Sequence, residues 1–169
     1  MGDDARDVDN YALGAAAEKN HLSVIQELRV GYGLTRRDGR AALNSAAKNC
    51  DSRDIFREFR SNWGLDLSDL SPDDYFVLKI IASHGCLDLL RELIANWGLS
   101  ALEVKSALVT AARFGEISIL RELKLLGLTA NDAVNTAALN MAAEHDHDLV
   151  LWEFKHNWGA KSDARIMKY

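Results

Sequence analysis

Apolar positions along this chain recur with the spacing of amphipathic α-helices, and the pattern occurs five times. Each copy opens on a leucine, and the residues three and four positions later are a pair of alanines in every copy except the third, which has Ile81 and Ala82. The leucines are Leu13, Leu43, Leu78, Leu108 and Leu139. Small side chains permit short distances between helix axes, so the pattern predicts a first helix in each copy that packs closely on its neighbours.

A second apolar stripe follows a polar turn in every copy and predicts a second helix. The stripes cover residues 24–28, 55–59, 89–93, 119–123 and 150–154. Each is followed by a glycine, which suits a left-handed C-terminal cap. The glycines are Gly33, Gly64, Gly98, Gly127 and Gly159. Tryptophan precedes the glycine at Trp63, Trp97 and Trp158, where we expect it to fill the space between neighbouring copies.

Helix-start signals stand between the copies. Ser100 and Glu103 match a capping box, and Thr35 with Asp38 and Thr129 with Asp132 are looser versions of it. No copy has the alternating pattern of a strand. The one stretch rich in β-formers, residues 75–78, aligns with helical positions of the other copies and is predicted to be helical. The sequence therefore predicts an all-α fold.

Three stretches resemble the repeats of a known family. Residues 38–47, Asp-Gly-Arg-Ala-Ala-Leu-Asn-Ser-Ala-Ala, are similar to the Asp-Gly-x-Thr-Pro-Leu-His-x-Ala-Ala phrase of the ankyrin repeat. Residues 20–25 and 115–120 resemble its Gly-His-Leu-x-Val-Val turn and second helix. The resemblance covers roughly residues 10–160 and implies an ankyrin-like solenoid of five helix-turn-helix repeats.

The chain departs from the family pattern between its repeats. The Thr-Pro pair is absent, and only five residues separate Gly33 from Gly39, too few for the family's β-hairpin. We therefore expect short or helical connectors, similar to the hairpin-poor repeats of large DNA viruses of protists. The predicted single domain has repeats at 4–34, 35–65, 66–99, 100–128 and 129–160, with 161–169 as a C-terminal partial repeat or cap.

Net charge and hydropathy restrict the partners and the cellular compartment that the sequence predicts. The 169 residues have a formal net charge of −5, which disfavours nucleic acid and anionic membranes as partners. No run of 18 apolar residues is present, and the acidic start of the chain shows no signal peptide. These features predict an intracellular protein, cytoplasmic or nuclear, with no membrane segment.

The two cysteines, Cys50 and Cys86, fall in the turns of neighbouring copies. Packed helices lie about 8–10 Å apart. A disulfide needs Cα atoms closer than about 7 Å. The sequence therefore predicts two free thiols in a reducing compartment.

Chemistry-bearing motifs are few. The turn at residues 145–148, His-Asp-His-Asp, has side chains that bind divalent ions, but neighbouring turn residues rarely converge on one point, so we expect a solvated turn. No glycine-rich phosphate loop is present. We predict no cofactor, no metal and no catalytic residues. A hydrolase using Cys50, Cys86 or this turn is an alternative, as is a purely structural, self-assembling spacer.

The resemblance implies that a partner protein binds across the first helices and the turns that follow them. The candidate contact residues are Arg40, Lys48, Asn49, Tyr75, Ser83, His84, Lys105, Arg113, Phe114, Glu144 and His145. Phe114 and Tyr75 are aromatic residues on a polar face and are candidate anchors. Phe114 packing over its own turn is the alternative. Trp152, which aligns with glutamine or arginine in the other copies, either covers the last copy or forms an exposed anchor.

These observations predict a non-catalytic protein-protein interaction module that is a monomer. Its partner is not identified by the sequence.

Overall fold

The computed structural model describes residues 3–70, 76–99, 103–128 and 133–160, with the side chains of 3–9 and 133 left out. Within these ranges the chain forms ten α-helices, one 3₁₀ turn at Leu67–Asp69 and no strand, which confirms the all-α prediction. The helices are α1 (Asp3–Glu18), α2 (Leu22–Tyr32), α3 (Arg36–Ala46), α4 (Arg53–Ser61), α5 (Phe76–Ser83), α6 (Leu87–Trp97), α7 (Lys105–Phe114), α8 (Ile117–Leu125), α9 (Ala133–Glu144) and α10 (Asp148–His156).

The helices are arranged as five consecutive pairs. Each odd-numbered helix, called here a first helix, contacts the even-numbered second helix that follows it. Each first helix also contacts the next first helix, and each second helix contacts the next second helix. The described chain is therefore a two-layer stack that advances by one pair at a time.

The small residues of the sequence pattern lie where the first helices meet. Ala17, Ala47 and Ala112 are fully buried, as are the opening residues Leu13 and Leu43. These buried methyl groups bring neighbouring first helices close together, and the remaining sides of each first helix meet the second-helix layer or solvent.

The glycine after each second helix has the backbone conformation expected of a C-terminal cap. The φ angles of Gly33, Gly64, Gly98, Gly127 and Gly159 lie between 64° and 86°. This left-handed region disfavours any residue with a Cβ atom. The cap prediction is confirmed.

The three tryptophans before these glycines are buried, with 5–6% exposure. Trp97 contacts Phe56 of the preceding pair, with ring centroids 5.8 Å apart, so it does fill the space between pairs. Trp63 packs within its own pair instead. It lies against Gly39 of α3 and contacts Phe59 edge to face at 5.4 Å.

Helix α3 begins as predicted. The backbone N–H of Thr35 donates to Asp38 Oδ2 at 2.8 Å, and the Thr35 hydroxyl donates to the same oxygen at 2.7 Å. Asp38 is buried in this capping role. The signals at Ser100 and Thr129 lie outside the described residues.

The cysteines correct a prediction. Cys50 and Cys86 form a disulfide with Cα atoms 4.7 Å apart, so the expectation of free thiols was wrong. The distance between helix axes does not give the distance between these Cα atoms, because the residue before each second helix lies against the turn of the preceding pair. His147 lies against Gly115 in this way, and Cys86 has the equivalent position against Cys50. The turn with Cys50 is also longer, with six residues between its two helices where the other pairs have two or three.

This disulfide removes the basis for predicting a reducing compartment. In the described part of the chain, no helix has both the length and the apolar character needed to cross a bilayer.

Candidate binding face of the first helices

One stripe of each first helix faces solvent. It consists of three positions in each first helix, which are the third residue before the opening leucine, the first residue after it and the fifth residue after it. These positions share one side of the helix because four residues make about one turn. The described members are Asn10, Gly14, Glu18, Arg40, Asn44, Lys48, Lys79, Ser83, Lys105, Val109, Arg113, Thr136, Asn140 and Glu144. All of them are partly or fully exposed. We call this set the outer stripe.

The outer stripe forms one face of the stack. Neighbouring first helices cover two sides of α3, α5 and α7, and the second helices cover a third. Exposed residues of these helices therefore lie on the remaining side. Two of the predicted contact residues, Arg40 and Lys105, occupy the same stripe position on α3 and α7.

Positive charge is concentrated on the middle three first helices. Helices α3, α5 and α7 contain six basic side chains and one acidic side chain, the buried Asp38. The five second helices contain eight basic and eight acidic side chains. A chain with net charge −5 thus has a basic centre on its outer stripe, bounded by Glu18 on α1 and Glu144 on α9.

Several of these cations are not committed to ion pairs. Among the described residues, Arg37, Arg40 and Lys105 have no ion-pair partner, and all three retain accessible surface. Arg36 differs, because its guanidinium is 2.6 Å from Asp69 and 2.9 Å from Asp66. The hydrogen bonds that Arg36 donates, first to Asp66 and then to Asp69, raise the pKa of its guanidinium.

Two half-exposed aromatic rings flank the basic centre. Phe114, at the end of α7, is 50% exposed, and the guanidinium of Arg113 lies 5.7 Å from its ring centroid. The ring therefore contacts its own turn and still presents area to solvent. Phe76, at the start of α5, is 48% exposed and was not among the predicted contact residues. The aromatic pair at 75–76 was the available signal, and Tyr75 lies outside the described residues.

Some predicted contact residues join neighbouring turns instead of remaining free. Asn49 donates from Nδ2 to the backbone oxygen of Glu18 at 2.9 Å, and Lys48 Nζ lies 3.3 Å from the carboxylate of Glu18. The His84 ring nitrogen Nδ1 is 2.9 Å from the backbone oxygen of Ile80. These contacts make the turn edge partly structural, which the local sequence did not indicate.

Ser83 and His145 complete the predicted set at this edge. The Ser83 hydroxyl lies 2.9 Å from the backbone oxygen of Ile80. The ring of His145 stacks on that of His147 at a centroid distance of 6.1 Å. His147 in turn donates from Nε2 to the backbone oxygen of Arg113 at 2.7 Å. The described residues contain no group of three or more His, Cys, Asp or Glu side chains placed to hold a metal ion.

A groove on the second-helix side offers a contrasting surface. It has a volume of about 530 Å³ and is lined by Ile117, Ser118, Arg121, Leu149 and Trp152. Trp152 is 43% exposed and stacks on His156 with centroids 4.5 Å apart. Trp152 thus covers part of the last pair and is also partly exposed, and its role as an anchor stays a prediction.

Comparison of the chain with protein-family models, with curated proteins and with solved structures found no match.

Proposed function

We propose that the chain is an ankyrin-like array of five repeats whose role is to bind a partner protein through the outer stripe and the adjoining turns. The observation that supports this most directly is the contrast within the first helices. The opening leucines and the small residues that follow them are buried at equivalent positions in α1, α3, α5 and α7, and Leu139 of α9 is partly buried, while the exposed stripe changes its side chains from pair to pair. A constant scaffold with a varied exposed face is typical of repeat proteins that bind other proteins.

The mechanism of such a module is preorganisation. Ala47, Ala112 and the leucines they pack beside are held in the core, so the backbone beneath the outer stripe is already ordered before binding. Binding then orders side chains and little else, which reduces its entropic cost. Phe114 and Phe76 supply apolar area, and the basic centre supplies orientation.

The enzymatic alternatives have weaker support. A thiolate is the nucleophilic form of cysteine, and both sulfur atoms are consumed in the Cys50–Cys86 disulfide. In the 145–148 turn, the His147 ring is engaged with the backbone carbonyl of Arg113. A structural spacer has no need of a half-exposed Phe114 ring with Arg113 beside it. The interaction role therefore accounts for more of the observed surface.

The test is a comparison of surfaces. The purified chain, Phe114→Ala and Arg113→Ala are used to capture proteins from an extract of the source cells, with quantitative mass spectrometry as the readout. Val30→Ala and Leu125→Ala are the matched controls, because both side chains are at least 80% exposed on second helices. We expect the first-helix variants to lose proteins that the controls retain. Equal capture by all five proteins would refute the assignment of the face.

The predicted monomer is tested separately by light scattering over a concentration range. A mass that stays at 18.7 kDa supports the interaction module. Concentration-dependent growth supports the spacer instead.

A further inference from the structure

We propose that the partner presents a short acidic segment, which binds in extended form across α3, α5 and α7. This inference rests on the proposed function and adds the chemistry of the partner. It is based on charge complementarity, since the middle first helices are basic in a chain that is acidic overall.

Arg40 and Lys105 mark a row of basic side chains across the first helices, called here the basic track. Arg40 and Lys105 occupy equivalent stripe positions near the start of α3 and α7, with α5 between these helices. Two helix-to-helix steps of about 8–10 Å separate the outer helices. An extended chain advances about 3.3 Å per residue, so about six residues span the track.

Two of the cations along this track, Arg37 and Arg40, are available for new contacts. Arg37 and Arg40 line a surface depression on α3 together with Asn44 and Asp69, and the carboxylate of Asp69 is already paired with Arg36. Guanidinium groups bind carboxylates through two parallel hydrogen bonds. Neither arginine has a carboxylate partner among the described residues, so an incoming acidic side chain would not have to displace one.

The exposed phenylalanine rings indicate which other side chains the acidic segment contains. Phe76 is half-exposed at the start of α5, at the same end of the first helices as Lys105, whereas Phe114 is half-exposed at the end of α7. An apolar side chain within the acidic segment would bury the Phe76 ring and contribute affinity that salt does not screen. We therefore expect an acidic segment with at least one aromatic or aliphatic residue.

The finite width of the basic centre favours a peptide over a nucleic acid. A nucleic acid has a charge at every nucleotide and would extend over Glu18 and Glu144 at the two ends of the stripe. Like charges there oppose its binding. A segment of about six residues, the length derived above from strand geometry, ends before it reaches either glutamate.

The test measures binding of defined peptides by fluorescence anisotropy at 50 mM salt. The probe is a labelled ten-residue peptide of glutamate and aspartate with one central phenylalanine, and its control replaces the acids with glutamine and asparagine. Arg40→Glu combined with Lys105→Glu is compared with Arg53→Glu combined with Arg60→Glu. Both double variants change the charge equally, and Arg53 and Arg60 are exposed on the second helix α4.

We expect the acidic peptide to bind at least about tenfold more tightly than the neutral one, since complementary surface charge is the source of the preference. The first-helix double variant should lose about tenfold, and the α4 double variant should stay within about twofold of the parent. If charge reversal prevents folding, as judged by circular dichroism, Arg40→Gln with Lys105→Gln replaces it.

Three results would overturn the inference. These are equal binding of the acidic and neutral peptides, equal losses in both double variants, and tighter binding of a ten-nucleotide oligothymidylate than of the acidic peptide. The capture experiment separates this inference from the proposed function. If Phe114→Ala loses a cellular partner while the acidic peptide fails to bind, the interaction face stands and its acidic partner is rejected.

Discussion

Arg57 on α4 holds the carboxylate of Glu92 on α6 with two nitrogens, Nε at 2.9 Å and Nη2 at 2.8 Å. Glu92 is 4% exposed, and its second oxygen accepts a hydrogen bond from Asn96 at 2.7 Å. The same contact joins the later second helices, in Arg91–Glu122 and Arg121–Glu153. At the first step Gln26 takes the place of arginine and donates to Glu58 at 3.0 Å. A ladder of polar contacts thus links the second helices.

Replacing Arg57 with alanine should lower the thermal unfolding midpoint by several degrees. The change leaves the buried Glu92 without its cation, and an uncompensated buried charge is destabilising. Arg53→Ala is the control, because Arg53 is exposed on the same helix and has no ion pair among the described residues. Equal shifts in the two variants, measured by circular dichroism, would contradict the ladder.

Two helical glycines should respond to alanine with opposite signs. A Cβ atom at Gly39 would lie 2.7 Å from Trp63 Cε3, so Gly39→Ala should cost about 1–3 kcal/mol of unfolding free energy through overpacking. At Gly31 the nearest atom is 3.9 Å away, and Gly31→Ala should gain about 0.5–1 kcal/mol from helix propensity. Urea titrations measure both. A neutral Gly39→Ala would show that Trp63 does not pack there.

Reduction of the disulfide should destabilise the stack. Cys50 and Cys86 are 36 residues apart in sequence, and closing a loop of that length stabilises the folded state by about 3–4 kcal/mol on the chain-entropy model. The urea midpoint should therefore fall when a phosphine reductant is added. A Cys50→Ser and Cys86→Ala double variant is the control and should not respond to reductant. Rapid alkylation of both thiols in the untreated protein would show that the disulfide is absent.

The acid side of the stability profile should depend on Glu153. Burial acts to raise the pKa of this carboxyl, but hydrogen bonds from Arg121 and Asn157 outweigh burial. Its pKa in the folded state is therefore below the unfolded value of 4.5. A carboxyl with a lowered pKa stabilises the fold above its unfolded pKa and loses that contribution as the pH falls through the folded value.

We accordingly expect the parent protein to lose stability below about pH 4.5, the ordinary range of a glutamate. Glu153→Gln should be less stable than the parent at pH 7 and should lose less on acidification. Glu27→Gln, at an exposed position of α2, is the control and should follow the parent. Parallel profiles of unfolding free energy against pH for the parent and Glu153→Gln would contradict this role.

Local sequence signals predicted the helix ends correctly where a residue has a strong preference for one backbone conformation or one capping role. Gly98 and Gly115 end helices in the left-handed conformation, and Thr35 with Asp38 begins one, because these preferences depend on backbone geometry within a few residues. The outer stripe followed from the same periodicity. Its exposed members Arg40 and Arg113 were both among the predicted contact residues.

Contacts between pairs were less accessible from the sequence. The recurrent Arg-Glu dipeptide of the second helices was visible, but each arginine pairs with the glutamate of the next pair, about 31–35 residues away. Only the stacking geometry identifies that partner. The sequence likewise did not indicate that the Asn49 side chain donates a hydrogen bond to the backbone oxygen of Glu18.

By itself the sequence determined where helices begin and end, which of their sides are apolar and that no strand was needed, because these properties follow from local backbone preferences and the period of the apolar residues. The tertiary structure alone decided that Cys86 reaches Cys50 and that the basic side chains of α3, α5 and α7 share one face. Both features depend on the position of each turn relative to the preceding turn and on which sides of each helix the neighbouring pairs cover.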